Sequence, residues 1–251
     1  MTFVAGQAVE VTETKSMKVY SRVLRGKGHR IVLVCLKNGF HAGHRALVRA
    51  AHRIPGSVVV VAAQPSIPQD VLAEEKVDLV FRYTEESLWP NGRRIGLQLL
   101  GQSLEPAAAL EAELSLILAV LGAVNPTDVL IGERDYELSL NLNRMVADFQ
   151  LGVTVHSHPT VRSNNGVAVA TNQCDQAVAM AAALLAGAHA AANGKEAVLA
   201  AAREVLAAAN ITPEYLELRT PTLDDALTPA DARLMIAVDF DGTRLIDNVQ
   251  I

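Results

Sequence analysis

The run Ile31–Leu36, Ile-Val-Leu-Val-Cys-Leu, is the strongest constraint on this chain. Uninterrupted apolar residues over so short a span leave no polar face. They suit a strand buried on both sides, as in a parallel sheet. Lys37-Asn38-Gly39 then reads as a turn, and a helix follows from about Gly43 to Arg53, where Pro55-Gly56 ends it. Ser57–Ala63 repeats the buried-strand pattern, and Asp78–Tyr83 gives a third strand. Pro106 opens a long helix at the first-turn position that favours proline. Val129–Ile131 and Val153–His156 are further strands. Between them lies an amphipathic helix, Asp135–Phe149, with Leu138, Leu142, Met145, Val146 and Phe149 along one side.

Strands alternating with helices predict an α/β fold: a Rossmann-like parallel sheet over residues 1–160. Residues 1–16 are mixed and polar and read as a loosely held lead-in. Beyond residue 160 the pattern changes. Asp175–Ala192 and Lys195–Ala209 are alanine-rich helices, followed by short strands at Tyr215–Leu218, Leu234–Val238 and Arg244–Asn248. Residues 161–251 therefore form a smaller C-terminal α+β domain.

Composition narrows the function. The 22 basic and 27 acidic residues give a net charge of -5, and aromatics are only 4 % of the chain. With no basic stripe and few rings for base stacking, no nucleic-acid partner is expected. The 2 cysteines, Cys35 and Cys174, form neither a zinc pattern nor a disulfide framework, and Cys35 reads as a small buried hydrophobe. The N-terminus lacks a signal-peptide layout, and no apolar run nears the ~18 residues of a membrane helix. A soluble cytoplasmic protein, without a membrane partner, is expected.

In an open parallel sheet, ligands bind beyond the carboxyl ends of the strands, where strand order reverses. Three segments fall at such places: Lys37–His44, Gly132–Asp135 and Val161–Gln173. His41 and His44 are three apart at a helix start, so both can face one side. Free N–H groups and the helix dipole attract phosphate there, two imidazoles can donate to its oxygens, and Gly43 permits close approach. The alternative is that both histidines cap or pack. His52 is expected to face solvent. His156 and His158 share a strand face, where packing and ligand contact are equally open.

The motifs His41-Ala42-Gly43-His44, Leu88-Trp89-Pro90-Asn91-Gly92, Gly132-Glu133-Arg134-Asp135-Tyr136, Met145–Phe149, Pro159-Thr160-Val161-Arg162 and Thr243–Val249 occur in order. Together they resemble the pantothenate synthetase (pantoate–β-alanine ligase) family of the nucleotidyltransferase superfamily. The resemblance implies two steps. A carboxylate attacks the α-phosphate of ATP to give an acyl adenylate and pyrophosphate; an amine then displaces AMP. It implies ATP and Mg2+ as companions and a homodimer as the assembly. It casts His41, His44 and Arg134 as catalytic, with His44 as proton donor. Lys37, Gly43, Gly132, Glu133, Asp135, Val161, Thr171 and Asn172 fall on the nucleotide side.

Several positions depart from the family. Its pocket methionine is Lys37 here, and its phosphate-gripping lysine is Arg134, a planar fork in place of a compact ammonium. Its Ser-Ser-Arg-Asn becomes Ala170-Thr171-Asn172-Gln173, and its acid-binding glutamine becomes Leu138. Its Asn-Pro-Met-Gln-Phe segment gives way to Ala63-Gln64-Pro65-Ser66, leaving Gln64 and Gln69 as substitutes at hand. Three readings stay open: a pantothenate synthetase-like ligase, a catalytically inactive paralogue that binds nucleotide or a partner subunit, and a nucleotidyltransferase with another acceptor.

Overall fold

The structure is a computed structural model that describes residues 3–36, 39–64, 67–101, 103–169, 174–240 and 242–251. They form two compact units, Met1–Glu133 with Leu138–His158, and Arg134–Glu137 with Pro159–Ile251. Arg134–Glu137 lies in the second unit although both of its flanks lie in the first.

The first unit runs β1 (Val9–Val11), α1 (Thr14–Gly26), β2 (Arg30–Leu36), α2 (Ala42–His52), β3 (Ser57–Ala63), α3 (Gln69–Glu74), β4 (Leu79–Arg82), α4 (Glu85–Leu88), α5 (Ala107–Val124), β5 (Asp128–Gly132), α6 (Tyr136–Asp148) and β6 (Thr154–His158). Its six strands are parallel in the order β1-β4-β3-β2-β5-β6. The sheet grows outward from β2 in one direction through β3 and β4, and in the other through β5 and β6. The carboxyl ends of β2 and β5 therefore flank the point where strand order reverses.

Alternation along β2 explains its unbroken apolar sequence. Ile31 and Leu33 pack with Met17 and Leu24 of α1, Leu114 and Ile117 of α5, and Leu142 and Met145 of α6. Val32, Val34 and Leu36 pack with Leu47, Val48 and Ala51 of α2 and Leu72 of α3. Successive side chains serve opposite faces, so both must be apolar.

Three expectations are corrected. Within the expected lead-in of residues 1–16, Val9 pairs with Leu79 to add β1 to the sheet, and α1 begins at Thr14, so neither segment is loose. The signal was thin, because only Met17, Ser21 and Leu24 of α1 are buried, among Lys15, Lys18, Arg22 and Arg25. Phe149 does not join the inner side of α6. It lies one residue past the end of that helix and is 55 % exposed. The helix α5 is long and apolar enough, by length and composition, to cross a membrane. Its Leu114, Ile117, Val120 and Leu121 instead pack into the sheet's core.

The second unit contains α7 (Asp175–His189), a 3-10 turn (Ala191–Asn193), α8 (Lys195–Ala208) and the antiparallel strands β7 (Tyr215–Arg219), β8 (Arg233–Phe240) and β9 (Thr243–Gln250). Met180, Leu184, Val198, Leu206, Leu218, Leu234 and Ile236 form its core. The helices meet closely at Gly187: a Cβ there would stand 2.5 Å from Leu234 Cδ2 and 3.1 Å from the Val198 carbonyl oxygen. Backbone cannot yield as a side chain can, so Gly187→Ala should lower stability by about 1–3 kcal/mol. A thermal melt checks this; an unchanged midpoint would mean that the two helices move apart freely.

Candidate active site

The histidine segment starts where β2 ends. Gly39 has φ 61°, a left-handed conformation that suits glycine and turns the chain toward α2. His41 is the N-cap of α2, in extended backbone, and its Nδ1 accepts the His44 N–H at 3.4 Å. The two imidazoles stack with centroids 3.7 Å apart and planes 22° from parallel, and Phe40 continues the stack 6.2 Å from His44. The Arg45 guanidinium lies 5.2 Å from the Phe40 centroid. The sequence alternative of capping or packing is thus partly realised: His41 caps and both rings stack. Neither role removes the rings from the helix N-terminus, where the dipole favours an anion. Gly43 is the second residue of α2 and half-buried.

The helix α2 touches β5 as well as β2. Gly132 ends β5 opposite His158, and the Glu133 N–H donates to the His158 carbonyl at 2.9 Å. A Cβ on Gly132 would meet no described atom within 4 Å. The carboxyl end of β5 thus presents backbone to open space.

Arg134, Asp135 and Val161 belong to the second unit. Arg134 Nη2 lies 3.2 Å and 3.3 Å from the two Asp135 carboxylate oxygens. The Arg134 carbonyl accepts from Asn248 Nδ2 at 2.8 Å. The Val161 carbonyl accepts the Val169 N–H at 2.9 Å across a short hairpin, whose turn is closed by the Gly166 N–H donating to the Ser163 carbonyl at 2.9 Å. Arg162 grips Asp247 with two bonds of 2.6 Å and 2.9 Å. Lys37, Thr171 and Asn172, with Asn38, Ala170 and Gln173, lie outside the described residues.

Other sequence candidates take structural roles. His156 Nε2 pairs at 2.7 Å with Asp128, a fully buried carboxylate that also holds Arg30 and Thr127. His52 is exposed and bonds the Glu75 carbonyl. Gln69 donates to the Ala8 carbonyl at 2.9 Å, which ties α3 to the chain entering β1 rather than offering the amide to an acid. Leu138 packs against the core of the first unit. Cys35 is half-buried, and burial followed by the nearby Glu113 charge pushes its thiol up to about 12, so it stays a neutral thiol at ordinary pH. Among the described residues, no group of three or more His, Cys, Asp or Glu side chains gathers to hold a metal ion.

Sequence reasoning gave no role to Asn248 or Arg233. Asn248 lies 114 residues from Arg134 along the chain, and no local spacing announces such a contact.

Comparison with known proteins places the whole chain in a family. The family model described as Pantoate-beta-alanine ligase matches residues 66–250. A pantothenate synthetase of Mycobacterium avium (strain 104) is 37 % identical over 99 % of this chain and 91 % of its own length. One from Corynebacterium jeikeium is 33 % identical over 100 % of this chain and 92 % of its own. A crystal structure of pantothenate synthetase from Thermus thermophilus has a TM-score of 0.83 and 26 % identity, covering 96 % of this chain and 99 % of that one. The Francisella tularensis pantoate-beta-alanine ligase, solved with beta-gamma ATP and beta-alanine, shares the fold at a TM-score of 0.69 and 19 % identity, over 96 % and 97 % of the chains.

Proposed function

As the chain belongs to the pantoate-beta-alanine ligase family, we propose that it is an ATP-dependent ligase that joins pantoate to β-alanine through pantoyl adenylate. The carrying observation is the stacked His41–His44 pair at the N-terminus of α2, beside the reversal point of the sheet. The pantoate carboxylate attacks the α-phosphorus of ATP, and the bond to pyrophosphate breaks. The β-alanine amine then attacks the acyl carbon, loses a proton, and AMP departs. Charge builds on phosphate oxygens in the first step and on the leaving AMP in the second. Donors fixed in advance stabilise that charge without reorganising.

In this reading His41 and His44 donate to phosphate, with His44 as the proton donor. Arg134 neutralises negative charge, and Lys37, Thr171 and Asn172 add polar contacts to the nucleotide. Gly43 and Gly132 allow close approach, and Glu133, Asp135 and Val161 help to seat the nucleotide. Mg2+ held on the ATP phosphates would neutralise part of their charge, beside the contacts from His41, His44 and Arg134. A catalytically inactive paralogue finds no support in these relatives. The proposal extends to a cytoplasmic homodimer; sedimentation at the mass of one chain would contradict the dimer.

The test is direct. Purified protein with ATP, magnesium and pantoate should exchange labelled pyrophosphate into ATP, and β-alanine should convert the intermediate to pantothenate. Absence of both reactions overturns the proposal.

A further inference from the structure

We propose that Asn248 is a positioning residue for Arg134, acting through the Arg134 backbone; this rests on the proposed role of Arg134 beside the phosphates. Asn248 and its neighbour Asp247 are both buried in β9. Buried polar side chains need partners, and here the partners form one connected chain. Arg162 answers the Asp247 carboxylate with both terminal nitrogens, and its Nη2 also donates to the Asn248 carbonyl at 2.9 Å. The Asn248 N–H donates to Asp247 Oδ1 at 2.8 Å. Arg233 Nη1 donates to Asn248 Oδ1. With its backbone and its amide oxygen held, Asn248 directs Nδ2 to the carbonyl of Arg134, 2.8 Å away.

A second grip lies two residues further on. The Arg233 guanidinium that holds Asn248 also lies 4.2 Å from the Tyr136 ring centroid, and the Tyr136 hydroxyl donates to the Pro221 carbonyl at 2.9 Å. Arg134–Tyr136 is therefore held at its first residue through the backbone and at its last through the ring. The geometry fits a mechanical purpose. An arginine on a loose loop must lose backbone and side-chain freedom when it meets a phosphate, and that cost weakens binding. Fixing its carbonyl removes the backbone part of the cost beforehand and sets where the guanidinium can reach.

A purely structural Asn248 would stabilise the second unit and leave ATP affinity unaffected once the protein is folded. A double-mutant cycle separates the two roles. Asn248→Asp keeps an acceptor for Arg233 but sets a carboxylate oxygen against the Arg134 carbonyl. Calorimetric titration with magnesium and ATP should show about fivefold weaker binding for Asn248→Asp and about tenfold or more for Arg134→Ala. The double variant should bind no more weakly than Arg134→Ala alone, because the residue being positioned is gone. Independent, multiplying losses would overturn the positioning role, as would wild-type affinity in a folded Asn248→Asp protein. Wild-type affinity in Arg134→Ala would instead overturn the phosphate role of Arg134, and the positioning role with it. If Asn248→Asp does not fold by thermal melt, Arg233→Lys takes its place in the same cycle. It keeps a cation near Tyr136 but loses the Nη1 donor that holds the Asn248 amide oxygen.

Discussion

His44→Ala should reduce pantoate-dependent ATP–pyrophosphate exchange by about 10²–10³-fold, the usual cost of losing one pre-aligned donor to a developing negative charge. The helix should survive the change. The cap of α2 joins the His44 backbone N–H to the His41 side chain, and alanine keeps that N–H. Alanine also favours helix more than histidine does. Loss of activity with a melting point near that of the wild type would therefore report on chemistry. His41→Ala is less clean, because it removes the cap together with the ring and should cost about 1 kcal/mol of stability besides any activity. If His44→Ala exchanges pyrophosphate at the wild-type rate, the imidazole takes no part in adenylate formation and the stack is structural.

The largest stability effect is expected at Asp128, far in character from the histidine pair. Burial alone would raise this carboxyl, but hydrogen bonds from Arg30, His156 and Thr127 outweigh it and hold the group below the usual carboxylate range. Asp128→Asn removes the charge those donors face. Breaking a fully buried pair costs more, but Arg30 and His156 keep access to solvent, so the loss should be about 2–3 kcal/mol. That corresponds to a midpoint lower by roughly 5–10 °C. The sign with pH follows from the lowered carboxyl. Its stabilisation is fully present above the unfolded value of about 3.9 and is lost as pH falls through the lower folded value. The gap between wild type and Asp128→Asn should be constant near neutrality and should narrow in acid below about pH 4. Denaturant melts at several pH values check this; a gap that widens in acid would refute the assignment.

The parts of the fold most legible in sequence were those with the greatest apolar density. Ser57–Ala63 forms β3 over the same residues, and the alanine-rich stretch from Lys195 forms α8. The region before residue 26 was not legible, because α1 buries only a thin stripe and β1 is a three-residue strand on the sheet edge. Little apolar sequence is needed where little is buried. The candidate site divided in the same way. His41-Ala42-Gly43-His44 stood out because a short motif at a strand–helix junction carries its own physical logic. His156 did not declare itself, since only the fold brings it to Asp128, 28 residues away.

By itself, the sequence determined the alternation of strands and helices, the doubly buried β2, the histidine motif at the start of α2 and the resemblance to the ligase family. All of these depend on neighbours along the chain, on periodicity or on ordered motifs. Only the tertiary structure decided that β5 lies beside β2, so that Gly132 and the histidine turn share one end of the sheet. Only it decided that His41 caps and stacks, that Gln69 serves Ala8, and that Arg134 hangs from Asn248. Such contacts join residues far apart in the chain. Their partners are chosen by packing and by the need to satisfy buried polar groups, and neither leaves a mark on local sequence.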